Sequence, residues 1–168
     1  MKSKRSMFII AVIAASALFE VGILPLTGKS FASGPQIPGF AVRSKIPPSG
    51  KQGPPGKAAA LIGDRKKGEN LFTKNCQSCH GPQGKDNVPN PGSSDGTVPP
   101  LNPIDPELAN KKASVFAANI DRLIQHGSIP TGSNPVLFMP NWGEKLSQPE
   151  IADLEAYIMH LNGVTRKK

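Results

Sequence analysis

Cysteine and histidine are scarce in this chain, with two cysteines and three histidines among 168 residues. A structural zinc needs four ligands, and two cysteines with scattered histidines do not supply them. Excess charge is missing from the part that should fold. Residues 61–168 hold twelve Lys or Arg against eleven acids, so the overall net charge of +8 does not belong to them. A nucleic-acid module needs a basic face, usually with aromatics for stacking, and only 5% of the residues are aromatic. No convincing strand-like alternation appears, which removes the βαβ pattern of a thioredoxin-type protein. There is no internal repeat. No acid–base pair or nucleophile is marked out for catalysis, so the chain reads as a non-enzyme.

The basicity sits at the start, where residues 1–60 hold eight Lys or Arg and a single acid, Glu20. Lys2, Lys4 and Arg5 precede the apolar run Met7 to Phe19, and "SFA" at Ser30 to Ala32 offers a small-x-small cleavage site. That order is expected of an export signal, residues 1–32. If Val21 to Leu26 continues the apolar span, the same segment is long enough to anchor in a membrane. Either way, a periplasmic or otherwise extracytoplasmic domain is expected. Residues 33–60 are rich in Pro and Gly, with four basic residues and no acid. They are expected to form a flexible, partly extended linker. The folded domain is then residues 61–168.

Within it, Asp64 to Cys76 reads as a helix with Asp64 as N-cap. A long loop follows, rich in turn residues. Phe116, Ile120, Leu123 and Ile124 share one face of a second helix over Ser114 to His126, stopped by Gly127. After another loop, "SQPE" marks a capping box at Ser147 and Glu150. It opens a helix striped by Ile151, Leu154, Ile158 and Leu161. Three helices of about three turns around two long loops do not close a large core. An all-α domain wrapped around something else is expected.

"NCQSCHG", Asn75 to Gly81, indicates what fills it. Two thiols one helical turn apart can each add to a vinyl group of one haem, and the adjacent imidazole of His80 then reaches the iron. A plain disulfide between Cys76 and Cys79 would explain neither His80 nor the missing core.

"GENLFTKNCQSCHG", "VPPL", "FMPNWG" and "EIADLEAYIMHLN" occur in this order, and with them residues 62–163 resemble the class I cytochrome c family. The resemblance implies a haem c held covalently by Cys76 and Cys79, with His80 as proximal ligand and Met139 of "MPNW" as distal ligand. It implies that a proline carbonyl, Pro99, orients His80, that Leu101 packs on the ring, and that Gly68, Phe72 and Tyr157 form the crossing of the first and last helices. Trp142 is expected to pack near the haem. His126 and His160 are the candidates for a bis-histidine iron, and His126 before Gly127 fits a capping role better. The function implied is one-electron transfer between redox partner proteins by a monohaem carrier. Alternatives are a haem subunit docked in a quinol-oxidising or terminal respiratory complex, and a gas or redox sensor in which Met139 leaves the iron.

Overall fold

A computed structural model describes residues 45–166. Residues 1–44 and 167–168 lie outside the described residues, and with them the expected leader, anchor and first part of the linker. The described residues form five α-helices and no strand: α1 (Arg65–Asn75), α2 (Gln77–His80), α3 (Pro106–Ala109), α4 (Ala113–His126) and α5 (Gln148–Leu161). None of these helices is long and apolar enough to cross a membrane. The fold is all-α, with the three longer helices where the sequence pattern puts them.

The caps explain where these helices start. Asp64 accepts from the amides of Lys66 and Lys67 at 2.8 and 3.1 Å, and those two bonds hold its carboxyl below the usual range. At α5, the Ser147 hydroxyl and the Glu150 carboxylate satisfy each other's backbone amides. Gly127 ends α4 at φ +70°, a conformation that costs glycine little. The one-turn α3 stands where the composition predicts loop. Its signal is short, an Asp105 side chain accepting from Glu107 N with Pro106 in the first turn, and no apolar period can register over four residues.

α1 crosses α5 at Gly68. A Cβ there would lie 1.9 Å from the Asp153 carbonyl oxygen, so the two backbones meet directly. Phe72 and Tyr157 fill the space beside the crossing, with ring centroids 5.4 Å apart. α4 packs on the other side of α5, and Phe116, Ile120 and Ile124 join Ile151, Leu154 and Ile158 in one core.

Residues 45–60 differ from the flexible linker expected of them. They form an extended strap hydrogen-bonded to the domain. Ser49 N donates to Ile129 O at 2.8 Å, and Ile129 N donates to Pro47 O at 2.9 Å. Arg122 on α4 donates to the carbonyls of Gly53 and Gln52 at 3.0 and 3.3 Å, and His126 Nε2 to that of Pro54 at 2.9 Å. Ala58 is fully buried, and its amide donates to Gln148 of α5 at 2.9 Å. A Pro/Gly-rich segment has few side chains to bury, but its free carbonyls accept from side chains of another element. That source of order leaves no trace in composition.

Candidate haem site

The cysteines lie where α1 runs on into α2, Cys76 at the junction and Cys79 within α2. Cys76 N still donates to Phe72 O in the last turn of α1, at 2.8 Å. Cys79 N and His80 N both donate to Cys76 O, at 3.1 and 3.0 Å. Both thiols and the imidazole therefore come from one helical turn. Both cysteines are free and half-buried. Burial, with a smaller effect from Cys79, pushes the Cys76 thiol up to about 12. A thiol redox couple or a thiolate metal site needs the opposite shift.

His80 Nδ1 faces the Pro99 carbonyl oxygen in a long contact of 3.4 Å. A carbonyl only accepts, so the ring proton belongs on Nδ1 and the Nε2 lone pair is left free to bind a metal. Burial holds the imidazole below its ordinary pKa, against the opposing pull of the Pro99 carbonyl, and so favours the neutral, ligating form. The Pro99 segment is itself pinned. Leu101 N and Asn102 N donate to Gly84 O at 2.8 and 3.0 Å, and Asn162 at the end of α5 donates to Leu101 O at 2.9 Å.

Met139 arrives on the other long loop. Its amide donates to Ser128 O at 2.9 Å and its carbonyl accepts from Ser128 N at 3.0 Å, so the residue pairs with the chain just leaving α4. Trp142 opens a 3-10 turn, Trp142–Glu144, with the Lys145 ammonium 5.1 Å from its ring centroid. The remaining histidines have other partners. His126 holds the strap, and His160 is exposed with an Arg65 nitrogen 2.9 Å from its Nε2. Met159 is buried in the helical core.

These residues fit a haem on two observations. Leu71, Cys76, Leu101, Leu108, Met139 and Trp142 pack against the core, yet each stays only half-buried. A set of apolar side chains, Cys76 among them, is therefore left incompletely covered. The donor set is also a haem's: two protonated thiols, a neutral imidazole and a thioether. Sequence reasoning missed Asn90 and Asn162, whose buried or half-buried carboxamides tie the loops. A lone Asn in a turn-rich stretch carries no pattern by which to find it.

A helical domain with C-x-x-C-H at the end of its first helix, and an imidazole braced by a proline carbonyl, defines the class as a c-type haem protein. The cytochrome c family model matches residues 65–162, and the chain belongs to that family, with covalently bound haem c. A 96-residue stretch, 55% of the chain, is 33% identical to a nicotinate dehydrogenase subunit of Pseudomonas putida and spans 7% of that protein's length. No solved structure matches the chain.

Proposed function

We propose that this cytochrome c is a monohaem electron carrier, passing single electrons between extracytoplasmic or membrane-bound redox partners. Membership of the family supports electron transfer in general. The observation that carries the finer reading is the single turn holding Cys76, Cys79 and His80, with His80 Nδ1 against the Pro99 carbonyl. In this reading Cys76 and Cys79 would hold the haem through thioethers, and His80 and Met139 would ligate its iron through nitrogen and sulfur. Leu101 and Trp142 give the ring an apolar, water-poor wall. The haem iron supplies a one-electron ferric/ferrous couple, and a thioether ligand raises its potential relative to two nitrogen donors. The chain's own task is to hold the axial donors in place, so that little has to move when charge changes. The Pro99 contact fixes the ring and raises its donor strength. The basic, apolar leader supports a location outside the cytoplasm, and an uncleaved leader would tether the carrier to the membrane.

A second reading rests on the similarity to part of a dehydrogenase. In it the domain docks on a dehydrogenase and relays that enzyme's electrons onward.

The test is to mature the full chain in a host that makes c-type cytochromes, extract it with acidified acetone, and take a reduced haemochrome spectrum. One haem per chain that survives extraction is expected, with loss of covalent haem in Cys76→Ser and Cys79→Ser. Colourless protein with two titratable thiols, beside a correctly matured control cytochrome, would sink the reading. Migration of the native cytochrome as a free monomer favours the carrier, and stoichiometric co-purification with a dehydrogenase favours the docked form.

A further inference from the structure

Among the described residues, four polar side chains are buried: Asn90, Asp121, Asn141 and Glu155. Asn90 is 1% exposed, and its side chain forms a two-way clamp on one residue of the other loop. Its Oδ1 accepts from Leu137 N at 2.7 Å, and its Nδ2 donates to Leu137 O at 3.0 Å. A carboxamide presents an acceptor and a donor side by side, which suits it to grip one residue's N–H and C=O together. Leu137 lies two residues before Met139.

The clamp is mounted rigidly. Asn90 N donates to Gly96 O at 2.8 Å, and Asn90 O accepts from Ser93 N and Ser93 Oγ at 3.1 and 2.8 Å, which locks the turn over residues 90–96. The loops also meet backbone to backbone. Val136 N donates to Pro91 O at 3.1 Å, and a Cβ on Gly132 would lie 2.0 Å from Gly92 O. Met139 is thus approached from two sides, by Ser128 on its own amide and by Asn90 through Leu137. These bonds are short, while the segment lacks helix or sheet to hold it. Removing the carboxamide leaves both main-chain groups of Leu137 without their partner.

We propose that Asn90 is the positioning residue for the distal ligand, holding the Met139 segment so that the thioether stays on the iron in both oxidation states. This rests on the reading of Met139 as that ligand. An exogenous ligand competing for the same place sees the fraction of molecules in which Met139 has swung away. Loss of the clamp therefore appears as a gain in that ligand's apparent affinity.

The experiment titrates the ferric, haem-loaded full chain with imidazole, following the far-red charge-transfer band given by a thioether on ferric haem. The parent should show the band and bind imidazole weakly. Asn90→Ala should bind it about tenfold more tightly, equivalent to 1.4 kcal/mol. Asn90→Asp keeps an acceptor for Leu137 N but sets a carboxylate oxygen against Leu137 O, and should also bind imidazole more tightly than the parent. Thr131→Val removes the exposed 3.0 Å hydroxyl bond from Ser94 between the same loops. It should leave imidazole affinity within about twofold, because the loops stay clamped at Asn90.

If Asn90→Ala melts earlier but keeps the parent's imidazole affinity, Asn90 is merely structural and the proposal falls. If that variant does not accumulate with haem, Asn90→Asp and hydrogen exchange of the parent decide. A Leu137 amide as protected as that of Met139 supports the clamp, and one exchanging like an exposed loop amide overturns it. A parent with no charge-transfer band and tight imidazole binding overturns the ligation reading first, and the positioning role with it.

Discussion

Where α1 crosses α5, the chain holds together by close backbone approach and apolar filling: Gly68 against Asp153, Phe72 against Tyr157. Where the two long loops meet, it holds together through hydrogen bonds, some backbone to backbone and some from side chains reaching the other loop's backbone, as Asn90 does to Leu137. The first kind of contact is strong because it excludes water over a large apolar area. The second is worth about 0.5–1.5 kcal/mol per bond, but it fixes direction as well as distance. The cysteine turn hangs from the helical half, and both Pro99 and Met139 come from the loop half. Cys76, Cys79 and His80 are thus mounted on the helical half. The Pro99 carbonyl and the Met139 thioether belong to the loop half.

Two glycines separate the halves most sharply. Gly68→Ala puts a methyl 1.9 Å from a backbone oxygen that no rotamer can move. The helices must part, and about 3–5 kcal/mol of stability should be lost. Loss of haem-loaded protein in expression, and a large fall in denaturation midpoint, are expected together. A Gly68→Ala protein with unchanged stability would show that the crossing is looser than described. Gly127 has φ +70°, and a Cβ there would lie 2.4 Å from Met139 O. Gly127→Ala should cost about 1–3 kcal/mol and act on the Met139 segment first. Faster carbon monoxide binding to the reduced protein is expected while helical circular dichroism persists. A parallel loss of both signals would mean that the two halves do not respond separately.

How much of this is legible in the sequence follows the same division. Helix ends announce themselves locally, through Asp64, the Ser147–Glu150 box and Gly127, and a 3.6-residue apolar period marks which face turns inward. The C-x-x-C-H turn needs only local spacing, so it too can be read. Asn90 cannot be read, because its partner lies 47 residues away and nothing at either position signals the pair. The hydrogen bonds of residues 45–60 are hidden in the sequence for a related reason. They come from Arg122, His126, Asp121 and Gln148 in α4 and α5 and from the backbone of Ile129.

One group in the helical half runs against its surroundings. Glu155 on α5 is 1% exposed, and neither carboxylate oxygen has a hydrogen-bond partner. Burial raises it from 4.5 to about 8, Asp121 of α4 adds to the shift, and the Arg166 guanidinium 3.7 Å away opposes it. Arg65 and His160 line the cavity beside it. Because the folded state binds this proton more tightly than the unfolded chain, its stabilising effect is complete below about pH 4.5. It is lost as pH rises through about 8. Glu155→Gln imitates the neutral form. At pH 9 the variant should be more stable than the parent, on the order of 2 kcal/mol, and at pH 5 the difference should vanish. Denaturant titrations of both proteins at pH 5, 7 and 9 check this, and a difference that does not vary with pH would remove Glu155 as its source.

The smallest change in stability is expected at the strap. The family match begins at Arg65, so the strap lies outside it. Arg122 Nε and Nη2 donate to the carbonyls of Gly53 and Gln52, the middle of the segment, while Ala58 and Ala59 are held separately by Gln148 and Asp121. Arg122→Ala should therefore release the middle without freeing the end nearest α1. The global cost should be about 1 kcal/mol, since the lost bonds are partly solvent-exposed and the freed carbonyls can turn to water. Local opening is the larger consequence, because a segment held by few bonds opens at a free energy far below that of global unfolding. Limited proteolysis should cut the variant at Lys51 several-fold faster than the parent, with the haem spectrum unchanged. If cleavage at Lys51 is already fast in the parent and Arg122→Ala leaves it so, the strap is a tether after all. Its hydrogen bonds would then describe one of many positions of the strap.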